Sequence, residues 1–269
     1  MQSNKLRSLL TMLGIIIGVA SVIAMLAIGQ GSKKSIQDEV SKMGSNMLMI
    51  MPGADMFQGA RLSNSSTQTL ILSDYEAIRK QCHYLSAVSP VVNANGQAIY
   101  GANNYPTSMN GVNTDYLSIR KYDVEIGRIF TEREIQSSAK VCLIGQTVVE
   151  EVFGTGVDPI GKTFRFDKLP FLVIGVLKDK GENGMGQDQD NVVFVPFTTV
   201  KKRLNGSAFN DVNAILAAAV AADRMDELES EIKRLFRQRH RIPAGEADDF
   251  TVHNTSEVIS ALNTVSLVM

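Results

Sequence analysis

The sequence has no tryptophan, three histidines, two cysteines and seven prolines in 269 residues. Cys82 and Cys142 are too few for a disulfide framework of the kind that staples small secreted domains. A single bridge between them is open in an oxidising compartment; burial as two apolar thiols is the blander reading, and Cys142 sits inside the apolar run KVCLIG. His83, His240 and His253 share no ligand spacing with one another or with the cysteines, so no metal centre is expected. Neither sign of charge dominates, because 27 Lys and Arg face 28 Asp and Glu, for a formal net charge of -1. Nucleic-acid binding needs a dense basic surface to neutralise phosphate, and this balance excludes one. No serine occupies a G-x-S-x-G elbow, so neither a catalytic site nor a cofactor is implied.

What is present begins with a long apolar run. Leu9 to Gly29, LLTMLGIIIGVASVIAMLAIG, contains no charged residue. At about 1.5 Å per residue a helix over it reaches roughly 30 Å, the thickness of a bilayer's hydrocarbon core. A cleaved signal peptide has a shorter apolar region and a small-x-small cleavage site, and AMLAIGQG is a poor one. A retained membrane helix is therefore expected. Lys5 and Arg7 precede it while Lys33, Lys34 and Lys42 follow it, so charge alone leaves its orientation open. Gly14 and Gly18 form G-x-x-x-G, a spacing that lets helix backbones approach closely, although glycine is also simply common in membrane helices. At the other end, SEVISALNTVSLVM turns from polar to apolar and reads as the entry to a second membrane helix, which predicts a natural product longer than this chain.

Between these ends the pattern is α+β. The first helix is predicted to continue through GSKKSIQDEVSKMG, with Ile36, Val40 and Met43 at helical spacing and Gly44 as a stop. NMLMIM reads as a strand and GADMFQGARLSNSSTQ as loop. LSDYEAIRKQ reads as a helix with a capping box of Ser73 and Glu76, and Leu72 as a staple. SAVSPVV and a hairpin at QAIYGANNYPTSMNGV follow, giving the order β-α-β-β. A similar order returns near the end. NAILAAAV is ambiguous between helix and strand, DRMDELESEIKRLFRQRH carries an apolar stripe of Met225, Leu228, Ile232, Leu235 and Phe236, and DDFTVHN reads as a strand. Two such units would pack as one α/β sandwich. The middle has a capping box at Thr131 and Glu134 and the short strands KVCLIG, KTFRF, FLVIGVL and NVVFVPF, a compact α+β unit.

GVDPIGKT, Gly156 to Thr163, matches the phosphate-loop pattern G-x-x-x-x-G-K-[ST]. A true phosphate loop leaves a strand and opens a helix, whose N-terminus faces the phosphates. Here helix-like QTVVEEVFG precedes the loop and alternating KTFRFD follows it, and Pro159 removes an N–H from the cradle. The match is read as coincidence. DQD, Asp188 to Asp190, lacks the remaining ligands of a calcium loop and is read as a polar turn.

The run VCLIGQTVVEEVFGTGVDPIGKTFRFDKLPFLVIGVLKDKG, followed by MGQDQDNVVFVPFTTVKKRLNG, resembles the extracytoplasmic core of MacB/FtsX-like ABC transporter permeases. SNKLRSLLTMLGIIIGVASVIAMLAIGQG resembles that family's first membrane helix and elbow, so the likeness runs nearly end to end. The resemblance implies a non-catalytic permease subunit of the bacterial inner membrane with its large domain in the periplasm. It implies a cytoplasmic ABC ATPase as partner, a homodimer or paired permease, and, for the efflux branch only, a periplasmic adaptor and an outer-membrane channel. The implied organisation is a cytoplasmic N-terminus at 1–8, a membrane helix at 9–29, a porter-like subdomain with a stem helix at 30–112 and again at 207–255, an inserted Sabre-like subdomain at 113–206, and the start of a second membrane helix at 256–269. MacB proper carries an ATPase domain before the first helix, whereas the sequence opens almost directly on that helix, so either a stand-alone permease subunit or a piece of a longer protein is expected, with the ATPase on a separate chain or a missing domain. A lipoprotein-release or cell-wall-hydrolase-regulating permease of the same superfamily is an alternative, and a membrane-anchored receptor ectodomain is the rival from another class.

Overall fold

The computed structural model describes residues 3–43, 46–53, 56–57, 60–61, 69–183, 186–204 and 211–254. Gly44 and the segment 256–269, the expected helix stop and second membrane helix, lie outside them. The chain divides between a long N-terminal helix and a compact unit spanning Lys42–Ser256.

Helix α1, Ser3–Met43, is continuous over 41 residues. Its stretch Leu9–Gly31 is 23 residues long and apolar enough to cross a membrane. Every side chain in that stretch is exposed, an arrangement that water disfavours and hydrocarbon does not.

The compact unit starts from a four-stranded antiparallel sheet. Its strands are β1 (Met47–Pro52), the first half of β4 (Leu85–Tyr100), β11 (Ala214–Ala219) and β12 (Phe250–Asn254), in the order β12-β1-β11-β4. Helix α2 (Leu72–Gln81) joins β1 to β4, and α7 (Met225–Arg239) joins β11 to β12. This is a β-α-β-β-α-β sandwich whose third strand is delayed by an insertion. The amphipathic stripe of α7 behaves as its spacing predicts, with Met225, Leu228, Ile232, Leu235 and Phe236 all buried. The ambiguous NAILAAAV resolves as strand β11, because β1 and β4 flank it on both edges. Within the predicted loop at 53–68, β2 (Met56–Phe57) and β3 (Ala60–Arg61) form a two-residue ladder.

The inserted part is built on the far half of β4. The segments SAVSPVV and QAIY, read separately above, are one strand of 16 residues. From Val92 onward β4 pairs with β5 (Asn103–Val112) across a two-residue turn at Gly101, whose φ is +60°. From β5 the pairing runs to β10 (Val192–Pro196), β7 (Val141–Ile144), β9 (Leu169–Leu177) and β8 (Thr163–Phe166), and β8 pairs back onto β4 at Ala98 and Ile99. The hydrogen-bonded path therefore closes on itself, which removes most free strand edges. A short strand β6 (Val124–Gly127) pairs outside it with β9. Phe164, Phe166, Phe171, Phe194, Met109 and Leu143 are fully buried in this part. Short helices α3 (Asp115–Ile119), α4 (Glu132–Gln136), α5 (Gln146–Val148) and α6 (Phe197–Thr199) connect the strands, the last two running on as π turns. Thr131 caps α4 as predicted: its hydroxyl accepts from the Glu134 N–H, and the Glu134 carboxylate accepts from the Thr131 N–H at 2.8 Å.

Candidate functional site

The helix α2 is capped two residues earlier than its sequence signal indicated. Ile71 is the N-cap, and the Asp74 carboxylate accepts from its N–H at 3.0 Å. Ser73 lies inside the first turn and accepts from Arg239 at 2.9 Å. This displacement matters because it buries Asp74 to 1% exposure. A buried carboxylate needs partners, and Asp74 draws them from the far end of the chain. Arg239 Nε donates to it at 2.8 Å, and His240 Nε2 lies 3.3 Å away. The other ring nitrogen of His240, Nδ1, faces Asp249 at 2.8 and 2.9 Å. The Asp249 carbonyl accepts from the Gly53 N–H and from the Thr69 hydroxyl. His240 also stacks on Phe236, with Phe250 edge-on beside them. One polar hub thus ties the start of α2 to the end of α7 and to the entry of β12. Basic residues at the end of α7 also suit the negative end of its dipole.

A second network holds the DQD segment, the polar turn read from sequence, in which Asp188 Oδ1 accepts from the Asp190 N–H at 2.7 Å. Asp190 is buried at 2% exposure. Its carboxylate accepts from the N–H groups of Lys180 and Gly181, the latter at 2.7 Å. Gly181 N–H also reaches Asp179 Oδ1 at 3.0 Å, so two carboxylates converge on one donor. Asp188 accepts from Thr147 at 2.8 Å, Tyr122 donates to the Gln189 carbonyl, and Lys180 Nζ lies over the Tyr122 ring while donating to the Arg120 carbonyl. Burial, followed by Asp179, pushes the Asp190 carboxyl up to about 6 from its ordinary 3.8. A raised folded value means that its contribution to stability is fully present below the ordinary value and is lost as pH rises through about 6. The stability of the Asp190→Asn variant relative to the parent is therefore expected to improve between about pH 4.5 and about pH 7. Urea unfolding of both proteins at the two pH values checks this; an unchanged gap would remove Asp190 as the titrating group.

The phosphate-loop match has no cradle. The N–H groups of Val157, Ile160, Gly161 and Lys162 donate to Gly154 O, Asp158 Oδ1, Val173 O and Pro159 O. Thr163 then enters β8 opposite Leu172. Both cysteines are free thiols, and burial pushes Cys82 up to about 11. His83 pairs with Glu231 at 3.2 Å. In α1, a side chain added at Gly14 or Gly18 would meet nothing within 4 Å.

Residues 8–235 match the family profile of the MacB-like periplasmic core domain. The chain belongs to that family. The resemblance read from VCLIGQTV through DQDNVVFVP is thus shown, as is an α+β domain behind an apolar helix. Among MacB-like relatives, the macrolide export ATP-binding/permease protein MacB of Syntrophobacter fumaroxidans is 33% identical over 321 residues, covering 100% of this chain and 45% of that protein. The protein of the same name from Chlorobium phaeobacteroides is 36% identical over 267 residues, covering 99% of this chain and 40% of that protein. The chain therefore spans less than half the length of these curated relatives. The periplasmic region of MacB from Actinobacillus actinomycetemcomitans superposes with a TM-score of 0.68 at 23% identity, covering 83% of this chain and 95% of that one. The extracellular domain of the noncanonic ABC-type transporter YknZ from Gram-positive bacteria gives 0.62 at 23% identity, covering 78% and 100%. At this identity the two structures establish the fold of a MacB-like core domain. Neither the Asp74 hub nor the burial of Asp190 was read from sequence; the Ile71-to-Asp74 spacing of a cap and its third residue was the available signal for the first.

Proposed function

We propose that this chain is the membrane-anchored periplasmic part of an ABC transporter permease, and that it carries no catalysis of its own but transmits motion. The observation that carries this reading is the continuity of α1, which runs without a break from the apolar stretch at Leu9–Gly31 to Met43, close in sequence to the first strand of the core domain at Met47. A helix of that length is stiff enough to convey displacement over roughly 60 Å. In this reading a cytoplasmic ABC ATPase binds and hydrolyses ATP, the membrane helices of two copies close on one another with Gly14 and Gly18 on the packing face, and the segment beyond Gly29 moves the periplasmic domain. Residues 1–8 would lie in the cytoplasm, 113–206 would be a Sabre-like insert in a porter-like frame of 30–112 and 207–255, and 256–269 would open the second membrane helix. The names of the MacB relatives support macrolide export as the activity of the whole protein; a periplasmic adaptor and an outer-membrane channel would be further partners of that branch.

A flexible Gly-Ser insertion between Ser35 and Ser41 of the full-length parent tests the stem. Protection of a sensitive host against a macrolide is expected to fall to the level of the empty vector, with protein amount in the membrane unchanged. Full protection by the broken stem would refute transmission through this helix.

A further inference from the structure

The strand β4 belongs to both halves of the core domain, and its two edges change partners at the same place. Up to Val91 it pairs with β11 on one edge; from Val92 it pairs with β5 on the other. Each partner strand ends there, leaving β4 backbone groups beyond it that must find other partners. Two asparagines supply them. Beyond the start of β11, the Asn213 N–H donates to Val91 O at 2.9 Å and its Oδ1 accepts from the Asn93 N–H at 2.8 Å. Beyond the end of β5, Asn113 Nδ2 donates to Val88 O at 2.8 Å, its N–H donates to the Ser89 hydroxyl at 3.2 Å, and Asp115 Oδ2 accepts from the Val88 N–H. Asn113 is buried and also donates to Tyr75 OH on α2. Each side chain thus extends a hydrogen-bonded ladder one step past the point where its strand leaves. Asn213 stands where the chain returns from the closed ring to the four-stranded sheet, and Asn113 stands where β5 leaves β4 for α3.

We propose that Asn113 and Asn213 form a clamp on β4 that locks the sheet and the ring into one rigid body. Without the clamp, β4 is the shared strand about which the two halves hinge. The inference deepens the transmission reading and takes its use from it, but the rigidity is measured without ATP, an ATPase or a substrate. Failure of one therefore leaves the other standing.

The test uses the 269-residue chain in detergent with Cys82→Ser and Cys142→Ala, and spin labels at Lys80→Cys on α2 and Lys168→Cys between β8 and β9, both exposed positions. The parent is expected to give one narrow distance distribution. Asn213→Ala is expected to broaden it about twofold and to speed amide exchange at Asn93 about tenfold, the factor that one net hydrogen bond represents. Asn213→Asp keeps the acceptor facing Asn93 and is expected to restore both. An unchanged width in Asn213→Ala overturns the clamp, even if exchange at Asn93 accelerates, and so does broadening that Asn213→Asp fails to restore. If Asn213→Ala does not fold, Asn213→Asp and Asn113→Asp decide between them. The second replaces the amide donor at Val88 O with a carboxylate and must give the broader distribution; equal widths overturn the proposal.

Discussion

Replacing Asp74 by alanine is expected to destabilise the core domain by about 3 kcal/mol, a large share of the stability of any single domain. The carboxylate is 1% exposed and serves the Ile71 N–H, Arg239 Nε and His240 Nε2 together. Its removal leaves the Ile71 N–H and Arg239 Nε without their acceptor, and His240 Nε2 without the carboxylate that faces it, at the junction of α2, α7 and β12. Breaking a buried ion pair from one side costs about 3–5 kcal/mol, because the remaining charge stays desolvated. Arg239 is 30% exposed and recovers some hydration, which places the expected cost at the lower end. The contrasting case is Glu76, on the same helix, whose pair with Lys80 is 54% and 73% exposed. Removing it is expected to change stability by less than about 0.5 kcal/mol. Scanning calorimetry should show Asp74→Ala melting roughly 6–12 °C below the parent, using about 2–4 °C per kcal/mol for a domain of this size. A melting point within about 2 °C of the parent would show that Arg239 and His240 find other partners and that the hub is not a structural pin.

The elements that sequence made legible are those whose signals are local. The stripe on α7 and the capping box on α4 depend on residues within a few turns, and both stand as read. The apolar run of α1 is legible for the same reason. What failed depends on partners far along the chain. SAVSPVV was read apart from the hairpin that follows it, yet it and QAIY, with Pro90 between their ends, lie within the 16 residues of β4. The backbone groups of Val88, two residues away and on the same edge, face Asn113 and Asp115 rather than a strand. The N–H that Pro90 lacks therefore belongs to an edge that β5 has already left, so no ladder bond is lost. Closure of the ring through Ala98–Phe166 and Ile99–Arg165 is equally non-local. The cap of α2 was misplaced by two residues because Ser73 and Glu76 imitate a capping box, while Asp74 is fixed by Arg239 and His240 more than 160 positions away. Local propensity cannot see such a partner, and tertiary burial decides.

Gly145→Ala is the other substitution expected to have a large effect, and the direction has to be argued because two terms oppose. Gly145 has φ -79° and ψ 166°, a conformation open to any residue. Exchanging glycine for alanine at such a backbone ordinarily stabilises by about 0.4–1 kcal/mol through the unfolded chain. Here a Cβ would lie 2.8 Å from the Asp190 carbonyl carbon and closer still to its oxygen. The obstacle is backbone, so no rotamer change relieves it. Nor is that backbone free to retreat. Asp190 is held through its carboxylate by Lys180 and Gly181, Asp188 is tied to Thr147, and Gly145 itself donates to Val192 O at 2.9 Å. Overpacking against a fixed neighbour costs about 1–3 kcal/mol and occasionally more. The steric cost therefore exceeds the entropic gain, and a net loss of about 2 kcal/mol or more is expected in urea unfolding. Asp188→Ala frees the segment from Thr147, so the double variant should lose less than the sum of the two single losses, a coupling expected only between residues in contact. Strict additivity, or a Gly145→Ala protein as stable as the parent, would mean that the DQD segment shifts freely and that the networks around Asp190 do not fix it to β7.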